Sequence, residues 1–146
     1  MTTADARSYS SLGWGVLFLA LFLWFSSSQQ FDFTRTAAVP EISVQDAAAA
    51  RTRGAVLIDV RERPAYERGH IAGAIAVPLQ ELKQRVAEFA AMKDKELVVY
   101  CGDGSTLGPE GTKALNDAGR PDARNLAGGY SGWKTAGHPV ATGPQR

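Results

Sequence analysis

The sequence has only one cysteine, Cys101, in 146 residues. That excludes an intrachain disulfide and any zinc site built on several cysteines. It leaves the compartment open, because a free thiol survives on either side of a membrane. An excess of charge of one sign is also missing. Sixteen Lys+Arg stand against fifteen Asp+Glu, a formal net charge of +1. Such a chain offers no field for holding a phosphate backbone, and nucleic acid is not an expected partner. With 45% hydrophobic and 21% charged residues, wholesale disorder is excluded. The length suits one ordinary domain and is short for two joined by a linker.

Charge is absent altogether from one long stretch: none occurs between Arg7 and Asp32. Its densest part, Leu12 to Phe25, reads LGWGVLFLALFLWF, which is apolar all round rather than on one face. Fourteen such residues are short for a bilayer span and fit a signal-peptide core on length alone. Trp14 and Trp24 at the two ends, with Tyr9 outside them, match an interfacial aromatic belt. The uncharged Ser26–Gln30 run can lengthen the segment to about 17–20 residues, or roughly 25–30 Å of helix. The expectation is a leader over 1–11, a transmembrane or signal-anchor helix over 12–28 and a linker over 29–38. A cleaved signal peptide and a buried core helix are the alternatives. Arg7 and Arg35 flank the segment evenly, so orientation is weakly encoded. The reading leans to a single-pass membrane protein with its domain outside the cytoplasm, periplasmic in a bacterium.

Residues 39–146 alternate strand-like and helix-like runs. Ser43, Asp46 and an Ala-rich stretch predict a capped helix. Ala55 to Val60 and Leu97 to Tyr100 are continuous apolar runs, the pattern of strands buried on both faces. Ile71 to Val77 reads as a weaker strand. Leu79, Leu82, Val86 and Phe89 recur at helical spacing. A helix with Pro109 in its first turn ends near Gly119, Asn125-Leu126 marks a last strand, and Tyr130 to Ala136 a last helix. The fold class is α/β, with a mostly parallel central sheet flanked by helices.

Cys101 stands at the carboxyl end of a strand, where sites form in open α/β sheets. It opens Cys101-Gly102-Asp103-Gly104-Ser105-Thr106-Leu107-Gly108, which runs into a helix. The glycines allow a tight curl in which successive N–H groups form an anion-holding nest. The helix adds the positive end of its dipole, and the arrangement suits a thiolate or a persulfide anion. The bland alternative is a buried structural cysteine beside an ordinary strand–helix turn.

Three stretches together resemble the rhodanese homology domain over about residues 42–140. They are Leu57-Ile58-Asp59-Val60-Arg61-Glu62 running on to Val77-Pro78, Val98-Val99-Tyr100-Cys101 with its loop, and Leu126-Ala127-Gly128-Gly129-Tyr130 followed by Trp133 and Gly137-His138-Pro139-Val140. The resemblance implies a sulfurtransferase in which Cys101 carries a persulfide. The donor would be a persulfide, polysulfide or thiosulfate, and the acceptor a thiol or cyanide. Gly102, Asp103, Gly104, Ser105, Thr106 and Leu107 would bind the substrate, and Asp59 and Arg61 would support the site. No metal or organic cofactor is implied.

The chain departs from the family pattern in the loop. Active rhodaneses often carry an Arg five residues after the Cys, and related phosphatases of the fold carry one six after it. These positions are Thr106 and Leu107 here, and Gly108-Pro109 resembles the exit of the longer, seven-residue loop. Without a bidentate Arg clamp, phosphatase chemistry is not expected. Asp103 also places a negative charge where an anionic donor would approach, so thiosulfate is expected to be a poor donor. The alternative function is a catalytically weak domain acting as a membrane-tethered interaction or regulatory module for an unknown protein partner.

Overall fold

The computed structural model describes residues 38–144. The leader, the hydrophobic segment 12–28 and all but the last residue of the linker lie outside the described residues. No helix among the described residues is long and apolar enough to cross a membrane. In chain order the elements are β1 (Glu41–Ile42), α1 (Val44–Thr52), β2 (Val56–Asp59), α2 (Arg63–Arg68), β3 (His70–Ile71), β4 (Ile75–Ala76), α3 (Leu79–Gln84), α4 (Val86–Ala90), β5 (Leu97–Tyr100), α5 (Leu107–Asp117), β6 (Arg124–Leu126), α6 (Gly129–Thr135) and β7 (Val140–Ala141). Five strands form a sheet in the order β1-β6-β5-β2-β4, every pair parallel. A separate antiparallel pair joins β3 to β7.

Local chemistry accounts for the clearest elements. Ser43 Oγ accepts the Asp46 N–H at 3.1 Å and caps α1, satisfying a donor that the first helical turn leaves free. Alternate residues of the central strands face opposite ways. Ile58, Val60, Leu97 and Val99 pack with Leu79, Leu82, Phe89 and Leu115 beneath α3, α4 and α5. Leu57, Val98 and Tyr100 pack on the other face with Ala47, Ala50 and Trp133 from α1 and α6. All four residues of β5 are fully buried, so this strand is the centre of both cores. Cys101 continues its alternation into the first of them.

The structure corrects two readings. The single strand expected over Ile71–Val77 is two strands in different sheets. The Ala74 N–H donates to the Ile71 carbonyl at 2.9 Å, and Arg51 Nε donates to the Ala72 carbonyl at 2.7 Å. That turn releases β4 to run beside β2 while β3 pairs with β7. The apolar spacing from Leu79 to Phe89 is met by two short helices, not one. Arg85, at ψ 14°, ends α3 as its N–H reaches back to the Glu81 and Leu82 carbonyls. The two-residue strands β1 and β7 were not foreseen.

Arg120 closes the far end of the domain. It is 2% exposed. Its guanidinium donates to the carbonyls of Phe89, Met92 and Lys95 and pairs with Asp122 at 2.8 Å. Arg120→Met would remove a donor from three carbonyls, of which those of Phe89 and Met92 keep a backbone N–H, and is expected to lower stability by about 2–4 kcal/mol. The check is the urea unfolding midpoint, which should fall with an unchanged slope.

Candidate active site

The buried strand β5 fixes where Cys101 emerges, and the side chain there is 2% exposed. The chain then curls through Gly102–Thr106 into α5, whose first residue is Leu107. Five residues therefore separate Cys101 from the helix, Leu107 belongs to the helix, and Pro109 is its third residue. The loop is held by backbone. The Tyr130 N–H donates to the Cys101 carbonyl and the Ser131 N–H to the Gly102 carbonyl, both at 2.9 Å. Two glycines permit this approach. Gly104 has φ +80°, and a β-carbon there would lie 2.6 Å from the Leu126 carbonyl oxygen. Gly129 has φ +54°, and its β-carbon would lie 2.6 Å from both the Cys101 oxygen and the Gly104 nitrogen. Any other residue at either place would be strained and overlapping.

Sequence reasoning placed Asn125 only as part of a strand. The structure makes it the clasp of the loop. Fully buried, it donates from Nδ2 to the Gly104 carbonyl at 2.9 Å and to Glu41 Oε1 at 3.1 Å. Its Oδ1 has no hydrogen-bond partner and lies where a side chain on Gly108 would begin. The available signal was an amide side chain in the short strand Arg124–Leu126, three residues before Gly128-Gly129.

Asp103 is the polar side chain that reaches the thiol. Its Oδ1 lies 3.8 Å from Cys101 Sγ and accepts the Ser105 N–H at 3.0 Å and the Ser105 hydroxyl at 2.8 Å. These Ser105 bonds hold the Asp103 carboxyl below its ordinary value. The carboxylate interaction is therefore complete at neutral pH, and is lost only as pH falls through that lowered value. Among the described residues, no protein acceptor takes the N–H of Gly102, Gly104 or Thr106. These donors line the loop that carries the thiol.

Asp59 and Arg61 lie behind this loop. Asp59 is fully buried. Arg61 Nη2 donates to Asp59 Oδ2 at 2.6 Å and to the Gly69 carbonyl at 2.8 Å. The guanidinium also lies 4.6 Å from the centre of the Tyr130 ring, so the ion pair braces the residue whose N–H holds the Cys101 carbonyl. Burial opposes the charge on Arg61, but the Asp59 hydrogen bond and charge outweigh it and its pKa is raised. Burial and the Asp59 charge push the Tyr100 phenol far above its ordinary range. His70 is stacked on Tyr66 with Nδ1 2.9 Å from the Tyr66 carbonyl, and Trp133 is fully buried with Nε1 on the Pro139 carbonyl. Both are packing residues. No group of three His, Cys, Asp or Glu able to hold a metal occurs among the described residues.

Comparison with known proteins places this chain in a family. The model of the rhodanese-like domain matches residues 43–136. The chain belongs to the rhodanese-like domain family. It is 38% identical over 108 residues to the HTH-type transcriptional regulator Rv0324 of Mycobacterium tuberculosis, covering 71% of this chain and 46% of that one. It is 34% identical to the thiosulfate sulfurtransferase GlpE of Pseudomonas fluorescens, covering 64% of this chain and 84% of that one. It is also similar to the crystal structure of a thiosulfate sulfurtransferase from Pseudomonas aeruginosa. There the TM-score is 0.66 at 33% identity, over 74% of this chain and 21% of that one. The chain spans about half the length of the mycobacterial regulator. Two of these similar proteins are named as thiosulfate sulfurtransferases.

The clasp can be tested apart from chemistry. Asn125→Ala removes the donor to Gly104 and leaves a buried carbonyl unpaired, at an expected cost of about 1–3 kcal/mol. Amide hydrogen exchange should show the largest loss of protection at Tyr130 and Ser131.

Proposed function

We propose that this rhodanese-like chain moves sulfane sulfur through a persulfide on Cys101. The observation that carries the reading is the thiol at the end of β5, on a loop whose Gly102, Gly104 and Thr106 N–H groups have no protein acceptor among the described residues. In the first step, Cys101 Sγ as thiolate attacks the sulfane sulfur of the donor. A sulfur–sulfur bond forms, and the bond from that sulfur to its carrier breaks, the electron pair leaving with the carrier. In the second step, an acceptor thiolate or cyanide attacks the outer sulfur and returns Cys101 to thiolate. Splitting the transfer through a covalent intermediate gives ping-pong kinetics. Free N–H groups aimed at the outer sulfur would stabilise its negative charge as an oxyanion hole does. The loop donors suit that role, and Thr106 offers no cation for a strongly charged donor. The same proposal makes segment 12–28 a single-pass anchor that keeps the relay at a membrane, its domain away from the cytoplasm.

Intact mass of the full chain tests the chemistry. After incubation with an alkyl hydropersulfide, the wild type should gain the mass of one sulfur atom, and cyanide should remove it. Cys101→Ser should gain nothing. A folded wild-type chain that takes no sulfur from any donor would sink the proposal and leave the interaction-module reading.

A further inference from the structure

The loop holds a feature that sulfur transfer in general does not require. Asp103 Oδ1 lies 3.8 Å from Cys101 Sγ, beside the atom that must meet the donor. The carboxylate has also taken the Ser105 N–H and hydroxyl, leaving fewer loop donors for an incoming anion. Its side chain thus stands in the region that an anionic group on the sulfane sulfur would enter. No arginine offsets it from the loop end, where Thr106 is exposed. Arg61 is already committed to Asp59 and the Gly69 carbonyl.

We propose that Asp103 is the specificity-determining residue of the loop, an internal anion that turns the site from thiosulfate toward neutral or cationic organic hydropersulfides. The inference rests on the Cys101 sulfur-transfer reading and names its donor class. A thiosulfate dianion brings its sulfonate on the very sulfur that Sγ attacks. It must either share the space with a carboxylate or displace it from Ser105. A hydropersulfide R–S–SH brings no such group. Cys101 Sγ bonds to the outer sulfur, the R–S bond to that sulfur breaks, and R–S leaves as a thiolate. The proton given up by Cys101 ends on that leaving thiol, so Cys–SH and R–SSH become Cys–SSH and R–SH. An ammonium in R is drawn to the Asp103 carboxylate, and a sulfonate in R is repelled.

Initial rates of cyanide-releasable sulfur on the full chain decide the matter. Three donors are compared: 2-aminoethyl hydropersulfide, 2-sulfonatoethyl hydropersulfide and thiosulfate. The variant is Asp103→Asn, which removes the charge and keeps an acceptor oxygen for Ser105. Wild type should prefer the donors in the order given. In the variant, the aminoethyl-to-thiosulfate rate ratio should fall by at least about fivefold and by up to about a thousandfold, the factors for unit charges about 4 Å apart in bulk water and near a protein surface. Added salt should narrow the ratio in the wild type and have less effect on it in the variant. If wild type loads and the ratio is the same in both proteins, the Asp103 proposal is overturned while sulfur transfer stands. If neither protein loads from any donor, the sulfur-transfer reading fails and takes this inference with it. Circular dichroism and the unfolding midpoint of the variant separate loss of fold from loss of selectivity.

Discussion

The backbone of residues 101–104 lies directly against the backbone of residues 126–131, and the candidate site depends on that contact. Two carbonyls of the loop are tied to α6 by the Tyr130 and Ser131 N–H groups, and the glycines at 104 and 129 leave no side chain between the segments. Buried backbone groups must be paired. Turning the Cys101 and Gly102 carbonyls toward α6 meets that demand on one side of the loop. The N–H groups of Gly102, Gly104 and Thr106 are then left without a protein acceptor among the described residues. These free donors are the remainder of that pairing.

Behind the contact is a more expensive arrangement. A fully buried Asp59 and a largely buried Arg61 make an ion pair at 2.6 Å. Such a pair is a weak source of net stability, because its desolvation cost is comparable to its attraction. What it supplies is position. Arg61 links the end of β2 to Gly69 and to the Tyr130 ring, three segments distant in sequence that must agree for the loop to keep its shape. Neighbouring phenols register the same buried charge, Tyr100 most of all. Asp103, by contrast, is an exposed carboxylate made persistent by two hydrogen bonds from one serine.

Elements with a long or chemically marked pattern could be read from the residues. β2 and β5 are unbroken apolar runs, Ser43 is a cap with its partner three residues on, and Gly119 follows the end of α5 as a stop. The placement of Cys101 at a strand end followed from the same run. Two-residue strands have no period to detect, which hid β1 and β7 and merged β3 with β4. The clasp by Asn125 was invisible for a different reason. A buried amide is recognised by its partners, and those partners, Gly104 and Glu41, lie 21 and 84 residues away. The negative charge of Asp103 in the loop was legible from the sequence, and its contact with the thiol was not. The capture of Ser105 required coordinates.

The alternation of β5 has an evolutionary consequence. Cys101 projects toward the α5 side because Leu97 and Val99 do, while Val98 and Tyr100 face α1 and α6. Inserting or deleting one residue between Leu97 and Cys101 would exchange the two sets and turn the thiol to the opposite side of the sheet. Descendants of this gene are therefore free to vary the identity of these residues within the apolar class. They are not free to vary their number, and length changes should collect in the turns near 91–96 and 118–123 instead.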